Sequence, residues 1–158
     1  MVNGVPKLND FGSSKVLNKK NSPYIVARTY RAPELIMGLE YNLSIDIWAV
    51  GVMLFEFLAL KIPFDGRTEG YQLIKIFENL GSPNPSLQKN VYKPQEIPLE
   101  LYKLLLNFKR KPIFLQKIKS LDPQNGEVLL DLLLKMWDLD PNNRISADNA
   151  YNHAYFNN

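Results

Sequence analysis

Side chains able to do chemistry are concentrated in four short runs. They are Asp10-Phe11-Gly12, Ala32-Pro33-Glu34, Asp46-Ile47-Trp48-Ala49-Val50-Gly51 and Asp140-Pro141-Asn142-Asn143-Arg144. Taken singly, each has a plain structural reading. The first makes a surface turn, Glu34 and Arg144 are two separate surface charges, and Asp46 is a first-turn carboxylate favoured by a helix dipole. Between the first two runs, Ser22 and Tyr24 carry hydroxyls in a segment that also holds Arg28 and Arg31. Guanidinium forks match phosphate oxygens, so these arginines are candidate partners for a phosphate on either hydroxyl. Pro23, directly after Ser22, makes a proline-directed modification site conceivable. His153 is the sole histidine and has no neighbouring ligand set, so a cap or packing role outweighs catalysis.

The absences narrow the chemistry further. There is no cysteine, which excludes disulfides and thiolate metal sites. No two glycines stand two apart, so no Gly-x-Gly loop is available to cover phosphates. The net charge of +3 is too small to argue for nucleic acid or a membrane surface by itself. It is also uneven: Lys103, Lys109, Arg110, Lys111, Lys117 and Lys119 form a basic segment without an acid, and the remainder is mildly acidic. That segment reads first as a solvated insert, with protein docking as the functional option and nucleic-acid contact a weaker one. The first twenty residues hold no apolar run, which argues against a signal peptide. The longest apolar stretch falls short of a membrane span. An intracellular chain is expected.

A chain of 158 residues can bury roughly 70% of its unfolded surface, enough for a real core in one domain. The elements that must position the candidate residues are mostly helical. Residues 1–31 are turn-rich, with a short strand expected over Val5 to Phe11. One or two helical turns follow from Ala32 to Gly38, with Pro33 at the start. Ser44 is the expected N-cap of the clearest helix, which runs to Leu60. Its apolar residues point all round, which predicts a buried central helix. Glu69 to Leu80 is amphipathic, with Leu73, Ile76, Phe77 and Leu80 on one stripe and Gly81 beyond its end. A short helix starts near Pro98. The basic segment, interrupted at Pro112, is expected to be a loop or two broken turns. A further apolar helix runs from Asn125 or Gly126 to Asp138, and Ser146 caps a last one ending near His153.

The four runs in this order resemble the C-terminal lobe of a eukaryotic protein kinase. The spacing of about twenty residues from Gly12 to Ala32 matches an activation segment. The resemblance covers nearly the whole chain. Tyr30-Arg31-Ala32-Pro33-Glu34 and the long stretch between Leu80 and Asn125 resemble the CMGC group (cyclin-dependent, MAP, glycogen-synthase and CDC-like kinases). Ser22-Pro23-Tyr24, Arg144-Ile145-Ser146 and His153-Ala154 are most similar to the pre-mRNA-splicing kinases of that group.

The resemblance implies a mainly α fold, a helical bundle around a buried central helix. Residues 1–34 would hold the metal motif and activation segment, and 35–158 the helical lobe with an insert at about 82–124. It makes Asp10 a ligand of Mg²⁺ on ATP, packs Phe11 against an N-terminal lobe and lets Gly12 turn the chain. It pairs Glu34 with Arg144 as a buried ion pair, and gives Asp46 and Trp48 structural roles. It places Ser22 and Tyr24 where relatives are phosphorylated, opposite Arg28 and Arg31. Three residues depart from the pattern. Ala27 replaces a hydroxyl residue, Thr29 an aromatic, and Asn9 puts an amide under the adenine position.

The glycine loop, its lysine strand and the His-Arg-Asp loop are absent from the sequence, so the general base is expected to lie upstream. Part of the central helix should then stand uncovered. The expected function is the C-terminal part of a kinase that transfers the γ-phosphoryl group of ATP to Ser or Thr of protein substrates, with this chain alone inactive. The rival is a non-catalytic, kinase-derived module that binds a protein partner, with docking through Lys103 to Lys119.

Overall fold

The computed structural model describes residues 7, 9–14, 26–85 and 99–157. Its helices are α1 (Pro33–Ile36), α2 (Ser44–Ala59), α3 (Glu69–Leu80), α4 (Leu99–Leu105), α5 (Pro112–Leu121), α6 (Gly126–Met136) and α7 (Ala147–Tyr151). Single 3-10 turns cover Phe11–Ser13 and Arg28–Tyr30. No strand occurs among the described residues. Residues 7 and 9–11 of the expected strand at 5–11 are described and form no strand, with Phe11 opening a turn; residues 5, 6 and 8 lie outside the described residues.

The core sits where α2, α5 and α6 pack together, and buried residues of α3 belong to the same cluster. Trp48 and Phe55 of α2, Phe64, Phe114 of α5 and Trp137 are all buried there. Their rings touch in a connected cluster, with centroids 5.0 Å apart for Phe64 and Trp137 and 5.7 Å for Trp48 and Phe64. Aromatic pairs at such separations add about 0.5–1.5 kcal/mol each beyond area burial. Leu129, Leu132 and Leu133 of α6 and Leu73, Ile76 and Phe77 of α3 close the core around them. α6 packs against both α5 and α2.

Two expectations change here. First, residues 112–121 form a helix rather than broken turns. Pro112 is at its first position, where the missing N–H costs nothing, and Phe114 and Ile118 fall one turn apart on its buried side. Second, Ser44 does not cap α2: it is the first helical residue, and its N–H donates to the Asn42 side chain at 2.9 Å. As expected, part of the central helix α2 stands uncovered. Ile45, Trp48, Val52 and Phe55 are buried, whereas Asp46, Val50, Met53 and Phe57 are exposed. Those four recur at helical spacing and make one open stripe, apolar except at its first residue. Leu60, 87% exposed and in the left-handed region at φ 52°, extends it past the helix end.

Candidate functional site

Two neighbourhoods gather the polar residues singled out by sequence. The first is built on Glu34 and Arg144, both essentially buried. Arg144 donates from Nη1 to Glu34 Oε1 at 2.7 Å and from Nη2 to Oε2 at 3.0 Å. Its Nη1 also reaches the Ser44 carbonyl at 3.0 Å, and its Nε the Asp138 carbonyl at 3.1 Å. The guanidinium lies over the Trp48 ring, 5.2 Å from its centroid. One side chain thus ties α1, the start of α2 and the turn after α6. A forked, doubly hydrogen-bonded geometry is the arrangement that lets a buried arginine and carboxylate offset their lost hydration.

The second neighbourhood is the strip 26–31, which leads into α1. Val26 has φ 71°, the left-handed region, where a β-branched residue is a genuine outlier. Its carbonyl accepts from Arg31 Nη2 at 3.0 Å and Nε at 3.3 Å. The other edge of the same guanidinium is held by Glu69, at 2.7 Å from Nη1. Arg28 donates from Nε to the Gly66 carbonyl at 3.2 Å. Beneath them Gln72, fully buried, donates to the carbonyls of Phe64 at 3.0 Å and Thr29 at 3.4 Å. Its own carbonyl accepts the Gly66 N–H at 2.8 Å. Tyr30 closes the strip against α2, its hydroxyl donating to Glu56 at 2.6 Å. That bond to a carboxylate, aided by burial, raises the Tyr30 phenol above its usual range.

Arg28 and Arg31 therefore stand with backbone and carboxylate partners from α3 and the loop before it. Arg31 is buried, while Arg28 is exposed. Ser22 and Tyr24 lie outside the described residues. Asp10 is exposed and left-handed at φ 58°, with Oδ1 accepting the Gly12 N–H at 3.3 Å. Short acidic side chains tolerate this conformation well. Phe11 is exposed, and Asp46 heads the open stripe of α2. Among the described residues, no three His, Asp or Glu side chains converge to hold an ion. Asp10 thus suits Mg²⁺ only as one ligand of several, the rest being water and phosphate oxygens.

The basic segment is largely engaged within the fold. Lys111 pairs with Glu78 at 3.3 Å, Lys103 with Glu100 at 2.9 Å, and Lys119 with Glu127. Arg110 donates to the Leu80 carbonyl at 3.0 Å, and Lys117 lies over the Phe55 ring. Sequence reasoning passed over Val26, Glu56, Glu69 and Gln72. A usable signal existed for Gln72. It adjoins Leu73 on the apolar stripe of α3, where a polar residue must find internal partners.

A model of the protein kinase domain matches residues 1–156. Cyclin-dependent kinase G-2 of Oryza sativa subsp. indica is 38% identical over 157 residues, covering 97% of this chain and 22% of that protein. The probable serine/threonine-protein kinase KIN28 homolog of Encephalitozoon cuniculi (strain GB-M1) is 37% identical over 155 residues, 97% of this chain and 47% of that protein. Cyclin-dependent kinase G1 of Arabidopsis thaliana is 33% identical over 165 residues, 97% of this chain and 26% of that protein. The chain spans less than half the length of these curated relatives. No helix among the described residues is long and apolar enough to cross a membrane. With the ordered motifs, a helical fold and relatives of this kind agreeing, the chain belongs to the protein kinase family, in its CMGC group.

Proposed function

We propose that this chain is the substrate-platform part of a Ser/Thr kinase that phosphorylates hydroxyls directly followed by proline. The observation that carries the reading is the Val26 carbonyl, consumed by both Arg31 donors at the strained end of the strip. A protein substrate laid along residues 26–31 sets its next residue against Val26. An ordinary residue brings an N–H that finds this carbonyl already taken. Leaving such a donor unpaired costs about 1–3 kcal/mol. Proline brings no N–H and loses nothing.

ATP is the phosphoryl donor, and its bound Mg²⁺ supplies the charge neutralisation that the transfer needs. Asp10 is the carboxylate this chain contributes to that ion, with Gly12 N–H orienting one oxygen. Ser22 and Tyr24 are the proposed regulatory phosphate acceptors, with Arg28 and Arg31 as the candidate partners for their phosphates. A cyclin-type protein partner follows from the names of the relatives. Residues 1–158 alone are proposed to be inactive, because they hold one metal ligand and no positioned base. Ala27, without a hydroxyl to orient that base, reinforces this. The open stripe of α2 is then the face that the remainder of the kinase domain covers.

The test uses the full-length kinase that carries this chain and three peptides differing only after the acceptor serine. Proline is expected to exceed alanine in kcat/KM by about tenfold to a hundredfold. N-methylalanine, which also lacks the N–H, should behave like proline. Equal use of all three, or N-methylalanine no better than alanine, overturns the reading.

A further inference from the structure

We propose that Ser82 is a phosphate-acceptor site for a proline-directed protein kinase, and that its modification unlatches residues 105–108 from the end of α3. The Ser82 hydroxyl is the centre of a clasp. Its O–H donates to the Leu105 carbonyl at the end of α4, and its oxygen accepts the Phe108 N–H at 2.8 Å. The Ser82 N–H donates to the Phe108 carbonyl at 3.0 Å. A serine hydroxyl has one proton to give, and here that proton is used. A phosphate ester of the same oxygen has none. The Leu105 carbonyl would then face phosphate oxygens, beside the carbonyl-bearing and therefore negative end of α3. The closed clasp and a phosphate on Ser82 exclude each other.

The site has what a modifying enzyme needs. Ser82 is followed directly by Pro83, and residues 81–84 leave α3 without entering another helix or a strand. Ser82 is half-buried, while Asn84 and Pro85 beyond it are exposed. The hydroxyl reaches an enzyme when the clasp opens locally, an excursion that breaks the bonds of 105–108 and leaves the core in place. In the step itself Ser82 Oγ attacks the γ-phosphorus of ATP, the bond to the ADP oxygen breaks, and the hydroxyl proton passes to the modifying enzyme's base. The product cannot reclose, so the modification traps the open form. Counter-charge is at hand. Gly81 lies so close to Arg110 that a Cβ there would stand 3.2 Å from the Arg110 backbone nitrogen, and Lys109 and Lys111 flank that residue. Arg110 donates from Nε to the Leu80 carbonyl at 3.0 Å, a neutral partner that a phosphate outbids. In turning to the phosphate, Arg110 also lets go of α3.

The experiment treats the full-length protein that carries this chain with ATP and a purified proline-directed kinase. Phosphate is mapped by mass spectrometry, and amide hydrogen exchange is followed over residues 99–111. Phosphate is expected on Ser82. Once it is there, the amides of 105–111, Phe108 above all, should exchange about tenfold to a hundredfold faster, and phosphatase should return them to the starting rate. Ser82→Ala takes no phosphate at this position, and its exchange should not respond to the kinase. A response that persists in Ser82→Ala comes from another site and overturns the proposal. Ser82 left without phosphate overturns it too, as does phosphate on Ser82 with exchange over 105–111 unchanged. If Ser82→Ala does not fold, the phosphatase step decides in its place, and exchange that stays fast after the phosphate is removed overturns the proposal.

Discussion

Arg144 shows how much one side chain can carry when its partners are fixed. Its fork on Glu34, its bonds to the Ser44 and Asp138 carbonyls and its stacking on Trp48 join segments far apart in sequence. Such a pair is weak evidence of net stabilisation, because both charges lost their hydration. Removing one partner is different, since the other charge is left buried and alone. We expect Arg144→Met to cost about 3–5 kcal/mol in urea unfolding, and Glu34→Gln with Arg144→Met to recover part of that loss. Equal destabilisation by the single and double variants would show that the arginine works through its carbonyl contacts instead. Neither residue advertised this from its own surroundings in sequence, where each reads as a surface charge. Only the ordered motifs implied the pairing. Gln72 was hidden for the opposite reason, as polar residues on an amphipathic helix are ordinarily taken for its wet side.

The helices were legible wherever an apolar period met a cap or a stop. α3 runs from a Thr68 cap to Gly81, and α7 begins where Ser146 accepts the Asn149 N–H at 3.2 Å. α5 was missed because Pro112 reads as a breaker inside a basic segment, although at a first helical position it is a starter. Close approaches were illegible too, since they depend on neighbours distant in the chain. Gly126, the first residue of α6, is the clearest case. A Cβ there would run into the Lys119 carbonyl at the end of α5. Helix propensity alone predicts that Gly126→Ala stabilises α6 by up to about 1 kcal/mol. The packing predicts a loss of about 1–3 kcal/mol, because α5 and α6 must separate. Chemical denaturation of the variant decides between these, and a gain in stability would mean that the contact yields at little cost.

The whole molecule presents one face at odds with an independent globule. Val50, Met53, Phe57 and Leu60 stand open along α2 and past its end, with Phe57 71% exposed. Leu60 holds a left-handed backbone position that glycine fills more readily, so a large apolar side chain is kept there despite the conformation. Contiguous patches of this kind mark interaction surfaces in proteins of this size. Isolated residues 1–158 are expected to self-associate, and Met53→Lys with Phe57→Glu to yield a monomer by analytical ultracentrifugation. A monodisperse wild-type monomer that binds no hydrophobic dye would refute this. A last consequence concerns the order in which the chain is made. Glu34 and its arginine are 110 residues apart, so on the ribosome the carboxylate emerges long before its partner exists. At about 5–20 residues per second the wait is on the order of ten seconds. Through that interval α1 cannot dock without burying a bare charge, although the strip beside it can already meet α2 and α3. A nascent chain stalled before Arg144 should therefore leave α1 open to protease, and release past that residue should close it.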